Sequence, residues 1–315
     1  MELTAPYPWQ AEAWQRLQRL RRQGRLPHAL LITGARGLGK DDLAVALAWS
    51  HLCRHADTEG APCGRCRDCR LLQADSHPDL RWVVPEEPGR PIRIDAVRAL
   101  QEGTTLAVGE GGSRWFILSP ADALGMGAAN ALLKTLEEPQ PGVHLLLVTA
   151  HAEQLPITIR SRCQRLALRP PPKAAAKVWL QEQGMSDESR LESALALAAG
   201  APLAAREALE ADADLAYGAM AEAFARLERG EADPVALAAQ WLETAELPRL
   251  LDYLAGWLGE RQRHLASRGR IAEGRRLQGV LDDLFETRRR LAHNLNAQLA
   301  LEGLLVRYSQ ITQRH

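Results

Sequence analysis

The sequence predicts an α/β domain built on a parallel sheet with helices on both faces, followed by a region that is entirely helical. Short apolar segments typical of buried strands occur at 28–33, 115–118 and 144–149. The first precedes an Ala- and Leu-rich helical segment at about 40–53, and the second precedes a helical segment at 128–138. Because strands that alternate with helices usually pair in parallel, we expect both faces of this sheet to be covered.

A run of three prolines at 170–172 ends the α/β region, since proline neither continues a helix nor pairs within a central strand. We therefore expect an α/β domain over 1–168, a small helical domain over 169–209 and a larger helical domain over 210–315. In the last domain leucines recur at spacings typical of one helix face, at Leu277, Leu281, Leu284, Leu291 and Leu295.

The composition is that of a soluble globular protein. Of 315 residues, 46% are apolar and 25% charged, and 39 basic residues face 39 acidic ones. This balance argues against a diffuse basic surface for nucleic acid but leaves a local patch possible. The first ten residues lack a secretory pattern, and the longest apolar stretch, 194–205, is too short to span a bilayer. We expect a cytoplasmic protein with reduced cysteines.

A glycine-rich segment from Gly34 to Lys40 follows the first strand and opens a helix, which is the context of a P-loop. Glycines allow backbone amides to surround phosphate oxygens, and the lysine neutralises the outer phosphates. The predicted nucleotide-binding residues are Gly34, Gly37, Gly39 and Lys40. A glycine-rich turn that arose by chance is the alternative.

Two departures predict that this P-loop is a relic that does not bind ATP productively. The position after the lysine, where a working P-loop has Ser or Thr to hold magnesium, is Asp41, and Asp42 follows. These carboxylates would repel a triphosphate, although they also suit a helix N-terminus. The strand at 115–118 is followed by Ser119 and Pro120 instead of an acidic pair, and Asp122 lies too far along to replace it.

Four cysteines predict a structural zinc site. Cys53, Cys63, Cys66 and Cys69 lie within seventeen residues, and thiolates at two-residue spacing can turn towards one tetrahedral ion. An iron–sulfur cluster could use similar ligands, and a cluster of free thiols is a further alternative. The fifth cysteine, Cys163, is far away in sequence and is excluded from the site.

These residues resemble the clamp-loader subunits of bacterial DNA polymerase III, and among them the delta-prime subunits. The match covers essentially the whole chain and rests on five features. They are the P-loop after His28-Ala29-Leu30-Leu31, the four-cysteine insertion, the run from Asn130 to Pro139, the triplet Ser161-Arg162-Cys163, and the terminal run from Asn294 to Glu302.

The resemblance implies an α/β AAA+ fold: a RecA-like domain, a small helical lid and an all-α collar. The collar would build a five-membered ring with the gamma/tau and delta subunits. The chain would be an ATP-inert subunit of the polymerase holoenzyme that helps to load the sliding clamp (beta) on primed DNA at the replisome. Lys40 is a departure from the most degraded members, which leaves residual nucleotide binding open.

The resemblance also assigns a role to Arg162. In the family the arginine of this triplet projects into the ATP site of a neighbouring subunit, as an arginine finger in trans. A surface ion pair is the alternative for Arg162, and Arg160 is the alternative finger. Thr149 ends a strand where a sensor threonine would lie, and we expect it to be structural. Alternatives for the whole chain are an active gamma/tau-type ATPase that uses Lys40 and a small-molecule kinase.

Overall fold

The computed structural model describes residues 6–87, 89–105, 112–290 and 295–312. Leu291 and Asn294, which enter the predictions above, lie outside these described residues. The chain divides into two compact units, Met1–Pro170 and Pro171–His315. The division falls inside the run of prolines. The further boundary expected at 209 stays a prediction.

The first unit contains a five-stranded sheet in the order β2-β3-β4-β1-β5, and every neighbouring pair is parallel. The strands are β1 (Ala29–Thr33), β2 (Leu80–Val83), β3 (Arg114–Leu118), β4 (Val143–Thr149) and β5 (Gln164–Ala167). The predicted parallel sheet is therefore confirmed, and the three strands expected from sequence are its three inner strands. The two edge strands, β2 and β5, were not predicted.

Helices connect these strands, and they are α1 (Ala11–Arg22), α2 (Lys40–Leu52), α3 (Arg67–Gln73), α4 (Ile94–Thr105), α5 (Met126–Glu137) and α6 (Ile157–Arg160). The helix that follows the P-loop, α2, is apolar on all sides and buried along most of its length, including Leu43, Leu47 and Trp49. A helix that buries every face belongs in the core and not on the surface. This burial fixes the P-loop, because α2 begins directly after it.

A buried ion pair links the start of β3 to the turn before β2. The Nε and Nη2 atoms of Arg114 donate to Asp79 Oδ1 at 2.9 and 2.7 Å, and Nη1 donates to the Gly103 carbonyl of α4. Both charged side chains are less than a tenth exposed. Buried charges persist in proteins when they are paired and hydrogen-bonded, as these are.

The regular secondary structure in the described residues of the second unit is all helical. Its helices are α7 (Lys173–Glu182), α8 (Glu188–Leu197), α9 (Pro202–Glu210), α10 (Ala213–Glu228), α11 (Pro234–Thr244), α12 (Leu247–Ser267), α13 (Ile271–Arg290) and α14 (Ala297–Thr312). The five helices from α10 through α14 share one apolar core, which includes Phe224, Trp241 and Tyr308. Among the described residues, no helix is both long and apolar enough to cross a membrane.

An ion-pair network ties α8 to the start of α10. Arg190 donates from Nε and Nη2 to the two carboxylate oxygens of Asp214 at 2.8 and 2.9 Å, and Nη2 also donates to Asp212 at 2.6 Å. The Asp214 side chain is 1% exposed. These carboxylates raise the pKa of Arg190, so the pair remains ionised. The two helices lie on opposite sides of the boundary expected at 209.

Candidate functional site

The P-loop connects β1 to α2 and depends on its glycines. Gly34, Gly37 and Gly39 have φ angles of 148°, 79° and 70°, which side-chain-bearing residues rarely adopt. A Cβ on Gly34 would also lie 2.7 Å from the carbonyl oxygen of Leu168. The Lys40 side chain is buried, and Nζ donates to the carbonyl of Ala35 at 2.9 Å. Lys40, the predicted phosphate ligand, is thus hydrogen-bonded to the backbone of its own P-loop.

The segment before α1 packs against the far side of this loop. Gln10 Nε2 donates to the carbonyls of Leu38 and Gly39, both at 2.7 Å, and Trp9 Nε1 donates to Leu38 at 3.0 Å. The rings of Tyr7 and Trp9 stack with their centroids 4.9 Å apart, and a Cβ on Gly39 would lie 2.5 Å from the Tyr7 ring. These contacts fix the loop, and sequence reasoning missed them because they join residues about thirty positions apart.

The charges around the loop differ from those of a magnesium–nucleotide site. Burial lowers the pKa of Lys40, while Asp41 and Asp122 partly oppose this effect. Asp41 is exposed in the first turn of α2. Ser119 and Pro120 directly follow β3 and offer no carboxylate. An acidic residue therefore occupies the position where a metal-binding hydroxyl would be expected.

Asp122 lies nearer to the P-loop than its position in the sequence suggested. Thr149 Oγ1, at the end of β4, donates to Asp122 Oδ1, and the backbone N–H of His151 donates to Thr149 Oγ1 at 2.9 Å. The Asp122 carboxylate also opposes the lowering of the Lys40 pKa. The carboxyl ends of parallel strands meet at one edge of a sheet, which brings these three side chains together.

The four predicted metal ligands are brought together as expected. The Sγ atoms of Cys53, Cys63, Cys66 and Cys69 all lie within 4.8 Å of one another. Cys53 Sγ is 3.6 Å from Cys63 Sγ and 4.0 Å from Cys66 Sγ, and Cys63 Sγ is 3.9 Å from Cys69 Sγ. An ion about 2.3 Å from each of four tetrahedral sulfurs separates them by about 3.8 Å. The cysteine positions fit a single metal ion.

Hydrogen bonds favour the thiolate form of Cys63, whereas burial disfavours that of Cys69. Trp49 Nε1 donates to Cys69 Sγ at 3.3 Å, and the backbone N–H groups of Cys63 and Cys69 donate to the sulfurs of Cys53 and Cys66 at 3.3 and 3.4 Å. Backbone N–H groups of Arg65 and Cys66 lower the pKa of Cys63 to about 6, whereas burial raises the pKa of Cys69 to about 12. A bound cation would offset the cost of burying a thiolate at Cys69.

Arg162 lies on the surface immediately after α6. Its Nη2 is 2.6 Å from Glu137 Oε1, and its Nη1 donates to the Thr158 carbonyl at 3.0 Å. The next residue, Cys163, is buried in the core beneath the sheet, where burial raises its pKa to about 12. The buried cysteine anchors the triplet while the guanidinium faces solvent. Arg160 is exposed as well, and among the described residues its side chain has no ion pair.

The parallel sheet, the P-loop after β1 and the helical second unit define an α/β protein of the P-loop type. The family described as "DNA polymerase III, delta subunit" matches residues 9–172. The chain is 33% identical to DNA polymerase III subunit delta' of Pseudomonas aeruginosa, with 97% of this chain and 98% of the relative covered. It is 34% identical to subunit delta' of Escherichia coli, with 98% and 96% covered.

The chain therefore belongs to the DNA polymerase III delta-prime family. Among solved structures, a gamma subunit-related protein of DNA polymerase III from Thermotoga maritima is similar, with a TM-score of 0.48 and 18% identity. That similarity covers 94% of this chain and 99% of the other.

Proposed function

We propose that this chain is an ATP-inert subunit of a bacterial clamp loader that supplies Arg162 to the ATP site of a neighbouring subunit. Family membership over nearly the whole chain supports the clamp-loader role. The observation that carries the mechanism is that one domain has a P-loop without its magnesium ligand and, at a separate place, an exposed arginine. The P-loop keeps its backbone but has Asp41 in place of a magnesium ligand, while the exposed Arg162 follows a short helix elsewhere.

The inertness follows from the charges at the P-loop. A triphosphate and its magnesium need a hydroxyl ligand after the lysine and a carboxylate at the end of the central strand. Asp41 places a negative charge beside the phosphates, Ser119 and Pro120 provide no metal ligand, and the Asp122 carboxylate accepts a hydrogen bond from Thr149. Lys40 is hydrogen-bonded to Ala35 within its own loop. We infer that this site keeps its role in the fold but does not cleave ATP.

The weak ion pair of Arg162 supports the proposed finger role, because it leaves the guanidinium available to another ligand. Its ion pair with Glu137 joins side chains that are 36% and 49% exposed. Such surface pairs contribute at most about 1 kcal/mol, so a phosphate could replace the carboxylate at little cost. An arginine supplied in trans raises phosphoryl-transfer rates roughly 10³- to 10⁵-fold, equivalent to about 4 to 7 kcal/mol.

We further propose that the four cysteines hold one structural zinc ion. Four thiolates complete a tetrahedral shell and leave no position for substrate, so the metal stabilises the loop instead of performing chemistry. The sulfurs are close enough together to share one ion, whereas an iron–sulfur cluster spreads its ligands over several irons. The partners of the chain would be the gamma/tau and delta subunits, with the sliding clamp and primed DNA contacted through the complex.

The Arg162→Ala variant, assembled with gamma/tau and delta subunits, tests the finger. We expect the ring to assemble and the DNA-stimulated ATP hydrolysis to fall, because the one site that this chain completes would turn over about 10³-fold more slowly. Arg160→Ala is the matched control, since this arginine is also exposed and ends the same short helix. An unchanged rate for Arg162→Ala, or a larger loss for Arg160→Ala, would remove the proposed role.

A further inference from the structure

Arginines are concentrated on α1 and the cysteine loop, although the chain as a whole has no net charge. We define the arginine surface as residues 11–25 and 53–76. It contains nine arginines, no lysine and five acidic residues. Arginine is the side chain best suited to phosphate, because its planar guanidinium can donate two parallel hydrogen bonds. The balanced total charge therefore conceals a local excess of positive charge.

Four of these arginines lie next to the cysteines that would bind the proposed metal ion, so the ion would keep their backbones close together. Each is adjacent in sequence to a cysteine of the cluster, and they are Arg54, Arg65, Arg67 and Arg70. Because the four sulfurs lie within 4.8 Å of one another, the backbones that carry these arginines cannot spread apart. The cysteine loop is joined to α1 by hydrogen bonds from Trp14 to Glu59, from Arg21 to Asp57 and from Arg22 to Thr58.

Most of these guanidinium groups are not used within the chain. Six exposed arginines form no side-chain hydrogen bond or ion pair with any residue that the structure describes, and they are Arg16, Arg19, Arg25, Arg65, Arg67 and Arg70. A zinc ion with four thiolates carries two negative charges, which flanking arginines could simply offset. However, none of these six side chains donates to a cysteine sulfur. Their charge is therefore available to an external ligand.

The surface lacks the apolar groups that a protein partner would require. None of its residues is among the large hydrophobic side chains that are exposed in the described structure. Protein interfaces usually have an apolar or aromatic core, whereas phosphate contacts need only cations. Trp14 is half-buried and bonded to Glu59, so it offers little face for a base to stack on. Without a stacking platform, a single strand gains little over a duplex, which carries the higher charge density.

We propose that the arginine surface binds the phosphate backbone of duplex DNA directly and without sequence preference. The contact is made by residues of this chain and is separate from the P-loop and from Arg162. It goes beyond the proposed function, because it requires neither ATP nor the other subunits. A metal-held loop and α1 would present the guanidinium groups to adjacent phosphates.

Binding of a fluorescent duplex by the isolated full-length chain, measured by anisotropy across salt concentrations, tests this proposal. The first variant combines Arg65→Glu, Arg67→Glu and Arg70→Glu, and the second combines Arg16→Glu, Arg19→Glu and Arg25→Glu. The control changes the same total charge in the other unit, at the exposed arginines Arg263, Arg275 and Arg276. If the substitutions beside the cysteines release zinc, the second variant still tests the proposal, because its substitutions are not adjacent to any of the zinc-binding cysteines.

We expect the chain to bind the duplex, with an affinity that falls steeply as salt rises. Each surface variant should lower the slope of log affinity against log salt by about 3, because about one counterion is released for each phosphate contact. The control variant should keep the slope of the unmodified chain. The proposal is overturned if the unmodified chain does not bind at about 50 mM salt, if the control loses as much as the surface variants, or if polyglutamate binds more tightly than the duplex.

Discussion

At the scale of single residues, the P-loop keeps its glycines and its lysine, while Asp41 stands where a magnesium-binding hydroxyl is expected. The P-loop glycines are still required, because their φ angles and close contacts allow no side chain. Lys40 is retained, and its Nζ donates to the Ala35 carbonyl, which links the two ends of the P-loop. Asp41 suits the amino end of α2, where the helix dipole favours a negative charge.

The partly buried histidine His144 should make stability depend on pH. Its ring stacks on Trp115 with centroids 4.3 Å apart, and His51 and His28 lie nearby. Burial lowers the pKa of His144 below its ordinary value. In the unfolded chain His144 takes up a proton near pH 6.5, whereas in the folded chain it stays neutral until the pH is lower. This contribution to stability is present above pH 6.5 and is lost as the pH falls towards the lowered pKa.

We therefore expect His144→Gln to reduce the loss of stability between about pH 6.5 and pH 5, relative to the unmodified chain. Urea unfolding at several pH values would measure it. His151→Gln is the control, because His151 is considerably exposed. Identical pH dependence in the His144 variant and the unmodified chain would show that this histidine does not contribute.

At the scale of elements, the cysteine loop should depend on its metal. The cysteine loop, residues 53–76, follows α2, includes α3 and contributes few buried apolar side chains apart from Leu72. We expect close to one zinc per chain, and we expect Cys63→Ser to lose zinc and loosen residues 53–73 while the sheet stays folded. Metal analysis with hydrogen exchange measures both effects. Cys163→Ser should keep its zinc, and metal-free folded protein would contradict the assignment.

The link between α8 and α10 should be worth far more than a surface ion pair. Arg190→Ala leaves the buried Asp214 carboxylate without this partner, which we expect to lower the free energy of unfolding by more than the loss of an exposed ion pair does. Arg290→Ala breaks an exposed pair with Glu286 on α13 and should cost less than about 1 kcal/mol. Denaturant unfolding of the two variants compares them. Equal losses would mean that the buried carboxylate is not held by Arg190.

The strands predicted from the sequence lie inside the sheet, whereas the strands that were not predicted lie at its edges. Strands β1, β3 and β4 are buried on both faces, so their apolar runs are continuous and visible. The missed strands, β2 and β5, are the two edges, and exposed polar residues such as Gln164 and Arg165 interrupt them. An edge strand has one neighbour and less burial, so its sequence carries a weaker signal.

The candidate site was predictable where its residues are close in sequence. The P-loop, the cysteines and the triplet around Arg162 each have a recognisable local spacing. The contacts of Gln10 with Leu38 and of Thr149 with Asp122 depend on the sheet that brings distant segments together. Such pairs have no local pattern and became evident only from the fold.

At the scale of the whole molecule, the chain combines a parallel α/β unit with a helical unit, and its proposed activities occupy different parts of the first. The P-loop lies at the carboxyl end of β1, Arg162 follows α6, and the cysteine loop follows α2. This separation would allow the chain to act on a neighbour's nucleotide without binding its own. The account therefore depends on the P-loop being inert.

Steady-state hydrolysis of magnesium-ATP by the purified chain, compared with its Lys40→Ala variant, tests this dependence most directly. Our account predicts that both proteins, with zinc present and circular dichroism unchanged, release phosphate at the same background rate. It is contradicted by a turnover in the unmodified chain that Lys40→Ala abolishes, because the chain would then be an active ATPase of the gamma/tau type.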